Sequence, residues 1–541
     1  MNLRWIIVAV ALTAVVAGGV LRFASLDTKL FWQDEAISAL RITGHTVAEL
    51  NALFDNRTHR AAEVQALQEI APGRGLGATW SSIVREEPQR GLAYFLPARV
   101  WVGAFGETTQ SLRAFSAVIG LFGIFLAFVL GRTAMRSVTG GLVLAALVAV
   151  SPFQVRYSQE TREYILFADC VLLVTWLLLR ALNRPSAVNW VGVAVASALG
   201  LYVDAEFIMV LAGLAVVVGL ERPWRGAVHG RFAVAAIAAL LAFAPWTIVN
   251  LQAAHATEAG VAWAATPYSV PAFILKWVFN IGATFLDAEL ADRRWSILLL
   301  PLFGLVAYGA TVALRSVRDG RQSSRVALAL VTCTALPLIA LDAVKQAHYE
   351  AVIRYQVATW LGIELIAMLG IMALLRSSDR RKAIVGTLGF AYVAVCGAFS
   401  DTVSAGYPIW WDNNEPISEA AVARAVPRNP TPTIIVQSRR SVSALVASRY
   451  LESNERLLLL TLIPSGLEPG GEPYYAFLPS SALLQSLSAT YGLVNISPSA
   501  ATIVPQLARD STGSWPEPRS SLWRVVTGSA PRHTIVQRQL R

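Results

Sequence analysis

Long apolar runs recur along most of this 541-residue chain, and they constrain its fold more than any other feature. Each run is about 17–20 residues long, which as an α-helix matches the thickness of a bilayer core. The sequence is 55% hydrophobic and only 15% charged, with a mean hydropathy of +0.51. A soluble protein does not need so many runs of this length. The sequence therefore predicts an all-α polytopic membrane protein.

The apolar runs predict about eleven transmembrane helices. They lie at residues 5–21, 113–131, 139–155, 165–180, 188–203, 206–220, 232–250, 295–314, 326–343, 356–375 and 383–400. Two further apolar stretches, near 92–105 and 271–286, are predicted to lie in the outer interface of the membrane. They are not counted as spans because one extra crossing would turn the arginine-rich loops outward.

Basic residues are concentrated in alternate short loops, and this pattern sets the orientation in the membrane. These loops contain Arg132 and Arg136; Arg180 and Arg184; Arg222, Arg225 and Arg231; Arg315, Arg318, Arg321 and Arg325; and Arg376, Arg380, Arg381 and Lys382. The loops all face the cytoplasm if the N-terminus is cytoplasmic. The net charge of +10 then reflects orientation in a plasma (inner) membrane, and no nucleic-acid partner is expected.

This orientation leaves two long segments on the extracytoplasmic side. The first is a loop at 22–112, with interfacial helices, inside a membrane domain predicted for residues 1–400. The second is a tail at 401–541, which is less hydrophobic and contains many Pro, Ser and Arg residues. In the tail, strand patterns occur at 433–437, 457–462 and 522–526, and helix patterns at 441–451 and 480–491. The tail is therefore predicted to be a small extracytoplasmic α/β domain.

Two adjacent acids follow two aromatic residues soon after the first span, in the segment Phe31-Trp32-Gln33-Asp34-Glu35. A carboxylate at a membrane surface could act as general base on an acceptor hydroxyl or hold a divalent metal, and Trp32 could stack on a sugar. Adjacent helical residues point about 100° apart, so Asp34 and Glu35 are not expected to share one role. The alternative is that Asp34 caps a helix over 36–41, with Glu35 in its first turn.

A second polar cluster, with Tyr157, Glu160 and Arg162, lies where the third span reaches the outer surface. An arginine at this depth is costly and normally has an anionic partner. The partner of Arg162 is either a lipid phosphate or an internal carboxylate such as Asp169. The phosphate would make Arg162 a substrate-binding residue, whereas the carboxylate would make it one half of a plain ion pair.

A third cluster lies at the outer ends of the ninth and tenth spans and contains Lys345, His348, Arg354 and Tyr355. Its cationic side chains could bind a phosphate together, with Arg354 in a bidentate geometry. Arg113, at the outer start of the second span, could also bind a phosphate. The alternative for all of these residues is a role as membrane anchors.

Two more acids, Asp204 and Glu206, occupy the tight turn between the fifth and sixth spans. They either extend the acidic site or simply solvate the turn. The sequence contains no Walker loop, GxSxG, CxxC or HExxH motif, so nucleotide-sugar chemistry on a soluble scaffold has no support.

Four segments, in this order, resemble the C-type (GT-C) membrane glycosyltransferases of family 39. This group includes protein O-mannosyltransferases, aminoarabinose transferases and lipopolysaccharide galacturonosyltransferases. The segments are Phe31-Trp32-Gln33-Asp34-Glu35-Ala36, Phe105-Gly106-Glu107-Thr108-Thr109-Gln110-Ser111-Leu112-Arg113, Ser151-Pro152 through Tyr157-Ser158-Gln159-Glu160-Thr161-Arg162-Glu163-Tyr164, and Arg354-Tyr355. The likeness extends over residues 1–400.

The resemblance implies a polyprenyl-phosphate monosaccharide donor and inverting transfer to an acceptor hydroxyl. The acceptor would be a glycolipid, lipopolysaccharide, polysaccharide or protein. Asp34 matches the family's catalytic acid, with Glu35 beside it. Arg113, Arg162 and Arg354 match positions associated with the site or with the donor phosphate.

The sequence departs from the family pattern at two places. Many relatives have a His-Pro-Pro-like stretch where this chain reads Pro88-Gln89-Arg90-Gly91, and a Thr-His pair where it reads Val203-Asp204. A divalent metal therefore stays a candidate cofactor only, with Asp34, Glu35 and Asp204 as candidate ligands.

Two other functions stay open at this point, a lipid-linked sugar flippase and a silent membrane scaffold. Transporters place charges near the bilayer midplane, whereas the charges here gather at the outer ends of the spans. A scaffold would leave that outward cluster without a purpose. The sequence therefore favours an enzyme.

Overall fold

A computed structural model describes residues 3–221, 226–252, 269–287, 293–348, 352–410, 418–420, 425–429, 431–464, 467, 473–497, 522–526 and 535–537. The chain forms two compact units that do not follow chain order. Unit 1 comprises Met1–Leu26, Ile83–Pro97 and Arg113–Gly406. Unit 2 comprises Asp27–Ser82, Ala98–Leu112 and Tyr407–Arg541, so residues of the first predicted outer loop share a unit with the tail.

Helices dominate the described residues. In chain order they are α1 (Leu3–Leu21), α2 (Gln33–Thr43), α3 (Val47–Ala52), α4 (Ala61–Gln65), α5 (Leu76–Glu86), α6 (Leu92–Phe105), α7 (Thr109–Met135), α8 (Val138–Ala149), α9 (Pro152–Ser158), α10 (Tyr164–Asn183), α11 (Ala187–Val203), α12 (Phe207–Gly219), α13 (Gly226–Gln252), α14 (Val270–Ala283), α15 (Leu299–Arg318), α16 (Gln322–Lys345), α17 (Val357–Leu375), α18 (Arg380–Ala405), α19 (Ser441–Ser448) and α20 (Ser481–Thr490).

All eleven predicted spans coincide with a helix or a bent helix pair. Among the described residues, eight helices are long and apolar enough to cross a membrane, and a bent pair makes a ninth candidate. The eight are α1, α7, α10, α13, α15, α16, α17 and α18, and the bent pair is α8 with α9. The prediction of a polytopic, all-α membrane protein is confirmed. The stretches near 92–105 and 271–286 form helices of 14 residues each, and their interfacial position stays a prediction.

The predicted span at 139–155 is broken, with a bend of 63° between α8 and α9. Pro152 begins α9, and the preceding Ser151 has extended backbone angles. Proline disfavours a helical conformation in the residue before it and lacks the N–H that would continue the hydrogen-bond ladder. The proline therefore separates one continuous apolar run into two helices.

The helices at the predicted spans 188–203 and 206–220 are short, because α11 contains 17 residues and α12 only 13, two fewer than its predicted span. At 1.5 Å per residue these helices are roughly 25 and 20 Å long, less than the ~30 Å of a bilayer core. Asp204 has an extended backbone, and its side chain accepts a hydrogen bond of 2.8 Å from the N–H of Glu206. This local turn ends one helix and begins the next.

Two buried polar side chains tie α1 to the broken span. Arg22 donates to the carbonyl oxygen of Ala149 at 2.6 Å, and Gln159 donates to that of Leu21 at 2.6 Å. Each side chain thereby satisfies a carbonyl group at the end of the other helix. These bonds fix the loop that leads from α9 into α10.

Unit 2 contains a seven-stranded sheet with the order β1-β3-β2-β4-β6-β5-β7. The strands are β1 (Arg57–Arg60), β2 (Thr433–Gln437), β3 (Arg456–Leu460), β4 (Tyr474–Phe477), β5 (Gly492–Asn495), β6 (Leu522–Val526) and β7 (Ile535–Gln537). Strand β2 pairs in parallel with β3 and β4. The three strands and two helices predicted in the tail are present, which confirms the small α/β sheet region.

The edge strand β1 was not predicted, although it comes from the first loop and pairs antiparallel with β3. Its sequence, Arg57-Thr58-His59-Arg60, is polar and largely exposed. Charged residues of this kind protect an exposed sheet edge, and they hide the apolar alternation by which a strand is recognised.

Candidate active site

The first candidate residues lie in unit 2, at the start of α2. The N-cap is Trp32, and Asp34 and Glu35 occupy the first turn. The alternative in which Asp34 caps this helix is therefore wrong. Carboxylates in a first turn are stabilised by the positive end of the helix dipole, which favours the ionised form.

The two adjacent acids have different environments, as expected from their divergent directions on a helix. Glu35 is fully buried, at 0% exposure, whereas Asp34 is partly exposed. Trp32 is also buried, at 5% exposure. Of the two acids, Asp34 is the more exposed, although its Oδ2 atom is buried.

Residues of the tail hold the segment that precedes Asp34. The backbone N–H of Phe31 donates to the hydroxyl of Tyr450 at 2.7 Å. The side-chain amide of Gln33 donates to Glu419 at 3.2 Å and to Ser443 at 3.3 Å. Since these groups come from distant parts of the sequence, the orientation of the α2 N-terminus depends on the folded tail.

A second group of candidate residues forms a cluster in unit 1, centred on an ion pair between Arg90 and Glu163. The Glu163 side chain is 1% exposed and that of Arg90 is 11% exposed. Arg90 also donates to the hydroxyl of Tyr164 at 3.3 Å. None of these three residues was among the predicted site residues, although all three lie in segments quoted for the family resemblance or for its departures.

Tyrosine rings and further arginines surround this ion pair. The guanidinium of Arg162 lies 5.8 Å from the ring centre of Tyr164, and the rings of Tyr157 and Tyr164 are 5.0 Å apart, edge to face. Arg354 lies 5.4 Å from the ring of Tyr355. Such contacts between a guanidinium group and an aromatic ring help to orient the arginine side chain.

The acids of the α11–α12 turn complete the cluster. Burial raises the pKa of Asp204 to about 6, against the opposing effect of Arg90. Burial and the neighbouring Asp204 raise the pKa of Glu206 well above its ordinary value, against the effects of Arg90 and Arg354. Burial therefore disfavours the ionised form of both carboxyls, while the arginines of the cluster favour it.

We call the cluster of Arg90, Arg162, Arg354, Glu163, Asp204 and Glu206, with Tyr157, Tyr164 and Tyr355, the arginine–tyrosine cluster. It unites predicted residues from the second and third sequence clusters with the acidic turn. Several guanidinium groups close together are a common arrangement for binding a phosphate group.

The two departures from the family pattern meet at the edge of this cluster. Arg90 and Asp204 form an isolated antiparallel bridge, and the N–H of Gly91 donates to the carbonyl of Val203 at 3.1 Å. A Cβ at Gly91 would lie 1.6 Å from the carbonyl oxygen of Tyr202, so only glycine fits.

We expect Gly91→Ala to force this backbone contact apart and to lower the thermal unfolding temperature of the purified protein. The matched control is Gly103→Ala, where a Cβ would meet no atom within 4 Å. Alanine is favoured over glycine in a helix by about 1 kcal/mol, so the control should be neutral or stabilising. Equal unfolding temperatures for the two variants would contradict the close approach.

Replacing only one member of the Arg90–Glu163 pair is expected to destabilise the protein by about 3–5 kcal/mol, because it leaves a buried charge without its partner. Arg90→Met and Glu163→Met would be compared with the double variant by denaturation in detergent. The double variant should be more stable than the sum of the single effects predicts. If the effects of the two single substitutions on the free energy of unfolding add up to that of the double variant, the two side chains are not energetically coupled.

Several predicted site residues have structural partners. Glu160 forms a buried ion pair with Arg156 at 3.2 Å. Arg113, 1% exposed, donates to the carbonyl oxygen of Leu26 at 2.7 Å. Asp169, considered as a partner of Arg162, lies in the electrostatic field of Arg22.

The remaining candidates lie at the end of α16. Lys345 is exposed on the last turn, and no described contact joins it to the arginine–tyrosine cluster. His348, three residues further on, is buried at 7% exposure. Their shared role with Arg354 in phosphate binding stays a prediction.

The candidate metal ligands do not form a metal site. Within the described part of the chain, no three His, Cys, Asp or Glu side chains are grouped so that they could hold a metal ion. The side chains of Asp34 and Glu35 also point in different directions on the helix, and Glu35 is buried.

The comparisons with known proteins bear on the fold. Residues 92–249 match the family model described as dolichyl-phosphate-mannose-protein mannosyltransferase. The crystal structure of ArnT from Cupriavidus metallidurans bound to undecaprenyl phosphate has a TM-score of 0.51 at 14% identity, covering 98% of this chain and 99% of that one. The apo structure of the same protein has a TM-score of 0.52 at 14% identity, covering 95% and 97%. The chain has the GT-C fold. No curated protein sequence matches it.

The GT-C family segment and the candidate residues overlap only in part. The matched range 92–249 includes Arg162 and Asp204 but neither Asp34 nor Arg354. The whole-chain superposition, in contrast, extends over both units of the GT-C fold. Fold similarity thus covers the whole chain, whereas the sequence signal is confined to its middle.

Proposed function

We propose that this chain is a membrane glycosyltransferase that transfers a monosaccharide from a polyprenyl-phosphate donor to an acceptor hydroxyl on the extracytoplasmic face. The observation that carries this proposal is the arginine–tyrosine cluster at the starts of two spans, α10 and α17. A membrane protein places several arginines at such a depth only when an anion offsets their cost.

A lipid-linked phosphate is the anion that suits this position. Its polyprenyl tail stays in the bilayer beside the apolar spans, and its phosphate reaches the guanidinium groups without leaving the membrane. The ArnT relative is described as bound to undecaprenyl phosphate, which supports the same donor class for this chain. At 14% identity that likeness shows the fold alone, so the donor is part of the proposal.

The proposed reaction is a single displacement at the anomeric carbon. Asp34 takes the proton of the acceptor hydroxyl, whose oxygen forms the new bond to the anomeric carbon. The bond from that carbon to the phosphate oxygen breaks, and the electron pair leaves with the phosphate. Arg162 and Arg354 stabilise the negative charge that develops there. The sugar is transferred with inversion.

One observation favours the flippase alternative. Asp169, Glu364 and Asp401 lie within the helices α10, α17 and α18, in the electrostatic field of Arg22. Charges inside spans are frequent in transporters. Arg22, however, also bonds the ends of α1 and α8 together, which gives this group a structural role.

Purified protein in lipid nanodiscs, supplied with a panel of radiolabelled polyprenyl-phosphate sugars and mixed acceptors, tests the proposal. We expect transfer from one donor and release of polyprenyl phosphate. If the protein binds the lipid donors without transferring sugar from any of them, and translocates a lipid-linked sugar in a liposome assay, the flippase hypothesis would be supported over the enzyme.

A further inference from the structure

A second charged region of unit 1 lies at the ends of the spans opposite to the arginine–tyrosine cluster. The helix α10 starts in that cluster at Tyr164 and ends at Asn183, and its 20 residues span roughly 30 Å. The helix α17 likewise starts just after Tyr355 and ends before Arg376. Both Asn183 and Arg376 line a cavity at this far end.

This cavity has a volume of about 750 Å³, and a second cavity of about 560 Å³ adjoins it. The two share Thr133, Arg136 and Asn183 in their walls. The arginines that line one or both are Arg132, Arg136, Arg180, Arg184, Arg321 and Arg376. Neither wall includes an Asp or Glu residue.

One acid of this region, Glu221, has partners on α16. Glu221 forms an ion pair with Arg325 at 3.0 Å and also accepts a hydrogen bond from Gln322 at 3.0 Å. The Arg136 side chain donates to the neutral amide oxygen of Asn183 at 2.8 Å, and that of Arg376 donates to the carbonyl oxygen of Met135 at 2.5 Å. These neutral partners orient the guanidinium groups without cancelling their charge.

Hydrogen-bond donors of α16 face the same cavity. The N-cap of this 24-residue helix is Arg321, which offers no side-chain acceptor to the first N–H groups. Ser324, in the first turn, lines the cavity and is fully buried, and its hydroxyl has no hydrogen-bond partner. A helix N-terminus with a buried, unsatisfied hydroxyl and adjacent arginines suits a phosphate oxygen.

The cavity walls are apolar away from the arginines. Leu179, Val312, Leu369 and Met372 line the larger cavity, and Trp176 lines the smaller one. An apolar wall between membrane spans can hold acyl chains, while the arginines hold the headgroup. The basic loops also place this end in the cytoplasmic leaflet, where anionic lipids attract such residues.

We propose that the two cavities together form a binding site for an anionic phospholipid, and that its preferred ligand has two phosphodiester groups, as cardiolipin does. One phosphate lies in each cavity, with Arg136 between them. A soluble phosphate would use the arginines but not the apolar walls. The site is separate from sugar transfer, at the other face of the membrane.

The test is native mass spectrometry of the full-length protein titrated with cardiolipin, with phosphatidylcholine and inorganic diphosphate as comparison ligands. We expect cardiolipin to bind more tightly than either. In the variant Arg136→Gln/Arg184→Gln/Arg321→Gln, cardiolipin binding should weaken roughly 100-fold, since three cationic side chains are lost. All three side chains are exposed, so the fold should persist.

The matched control, Arg315→Gln/Arg318→Gln/Arg381→Gln, removes the same charge from exposed residues at the same end that line neither cavity. Its cardiolipin affinity should equal that of the wild type. Equal weakening in both variants would overturn the proposal in favour of general charge attraction. Diphosphate binding as tight as that of cardiolipin would overturn it in favour of a soluble ligand. The readout is binding alone, so it does not depend on whether the protein transfers a sugar.

Discussion

Replacing Asp34 by Asn is expected to lower sugar transfer about 10²–10⁴-fold, the range typical for loss of a general base. The amide has nearly the shape of the carboxylate, but it cannot accept the proton of the acceptor hydroxyl. Because Asp34 is partly exposed in the first turn of α2, the substitution should leave the folded protein intact. The measurement is transfer of radiolabelled sugar by purified wild type and variant, at matched protein levels.

The matched control for this substitution is Asp27→Asn. Asp27 is an exposed acid of the same unit, seven residues earlier in the chain. The Asp27→Asn variant should transfer sugar at the wild-type rate. Wild-type activity in Asp34→Asn would remove Asp34 from the mechanism and leave the acceptor proton to another base. Equal losses in both variants would indicate a general effect of charge on this segment.

Replacing Arg162 by Gln is expected to lower kcat/KM about 10²–10³-fold, as for the loss of one donor to a developing anion. The charge on the phosphate grows as its bond to the sugar breaks, so the loss should appear mainly in kcat. Steady-state kinetics with varied donor lipid would separate kcat from KM. An Arg162→Lys variant should recover only part of the rate, because an ammonium cannot make the bidentate contact.

The control for Arg162 is Arg231→Gln, an exposed arginine in α13 outside the arginine–tyrosine cluster. It loses the same charge and should retain the wild-type rate. If Arg162→Gln raised KM with kcat unchanged, Arg162 would bind the donor in its ground state only. A wild-type rate in Arg162→Gln would mean that the arginine serves the ion-pair network alone.

The membrane helices could be predicted from the sequence because the signal is local. A run of apolar residues must be helical in a bilayer, where no water can satisfy its backbone groups. The length of each run then defines a span. What the pattern could not show was the break at Pro152, since 139–155 is apolar on both sides of it, or the shortening of α12 to 13 residues.

The candidate site was predicted only in pieces. Tyr157, Arg162 and Arg354 were singled out as polar residues at the ends of apolar runs, and this placement is visible in one dimension. Arg90 was missed because its partner Glu163 lies 73 residues away. A signal existed, since Arg90 is the last charged residue before the start of α6 and is next to a glycine.

The role of the acidic turn between α11 and α12 likewise could be predicted only in part from the sequence. Asp204 and Glu206 were expected to extend the site or simply to solvate a turn, and the residue types cannot separate these outcomes. In the structure, burial raises the pKa of both carboxyls while Arg90 opposes it, so the turn belongs to the charged cluster. Such coupling depends on distances between helices, which no local pattern contains.

The sequence by itself determined that this chain is a polytopic membrane protein with a small α/β region, because hydrophobic length and alternation are properties of neighbouring residues. It also predicted which ends of the spans carry the candidate site residues. Only the tertiary structure decided that Glu35 is buried while Asp34 is accessible, and that Arg90 pairs with Glu163. It also decided that the first loop contributes the strand β1 to the sheet of the tail. These features depend on contacts between residues far apart in the chain, and such contacts exist only once the helices and strands have packed.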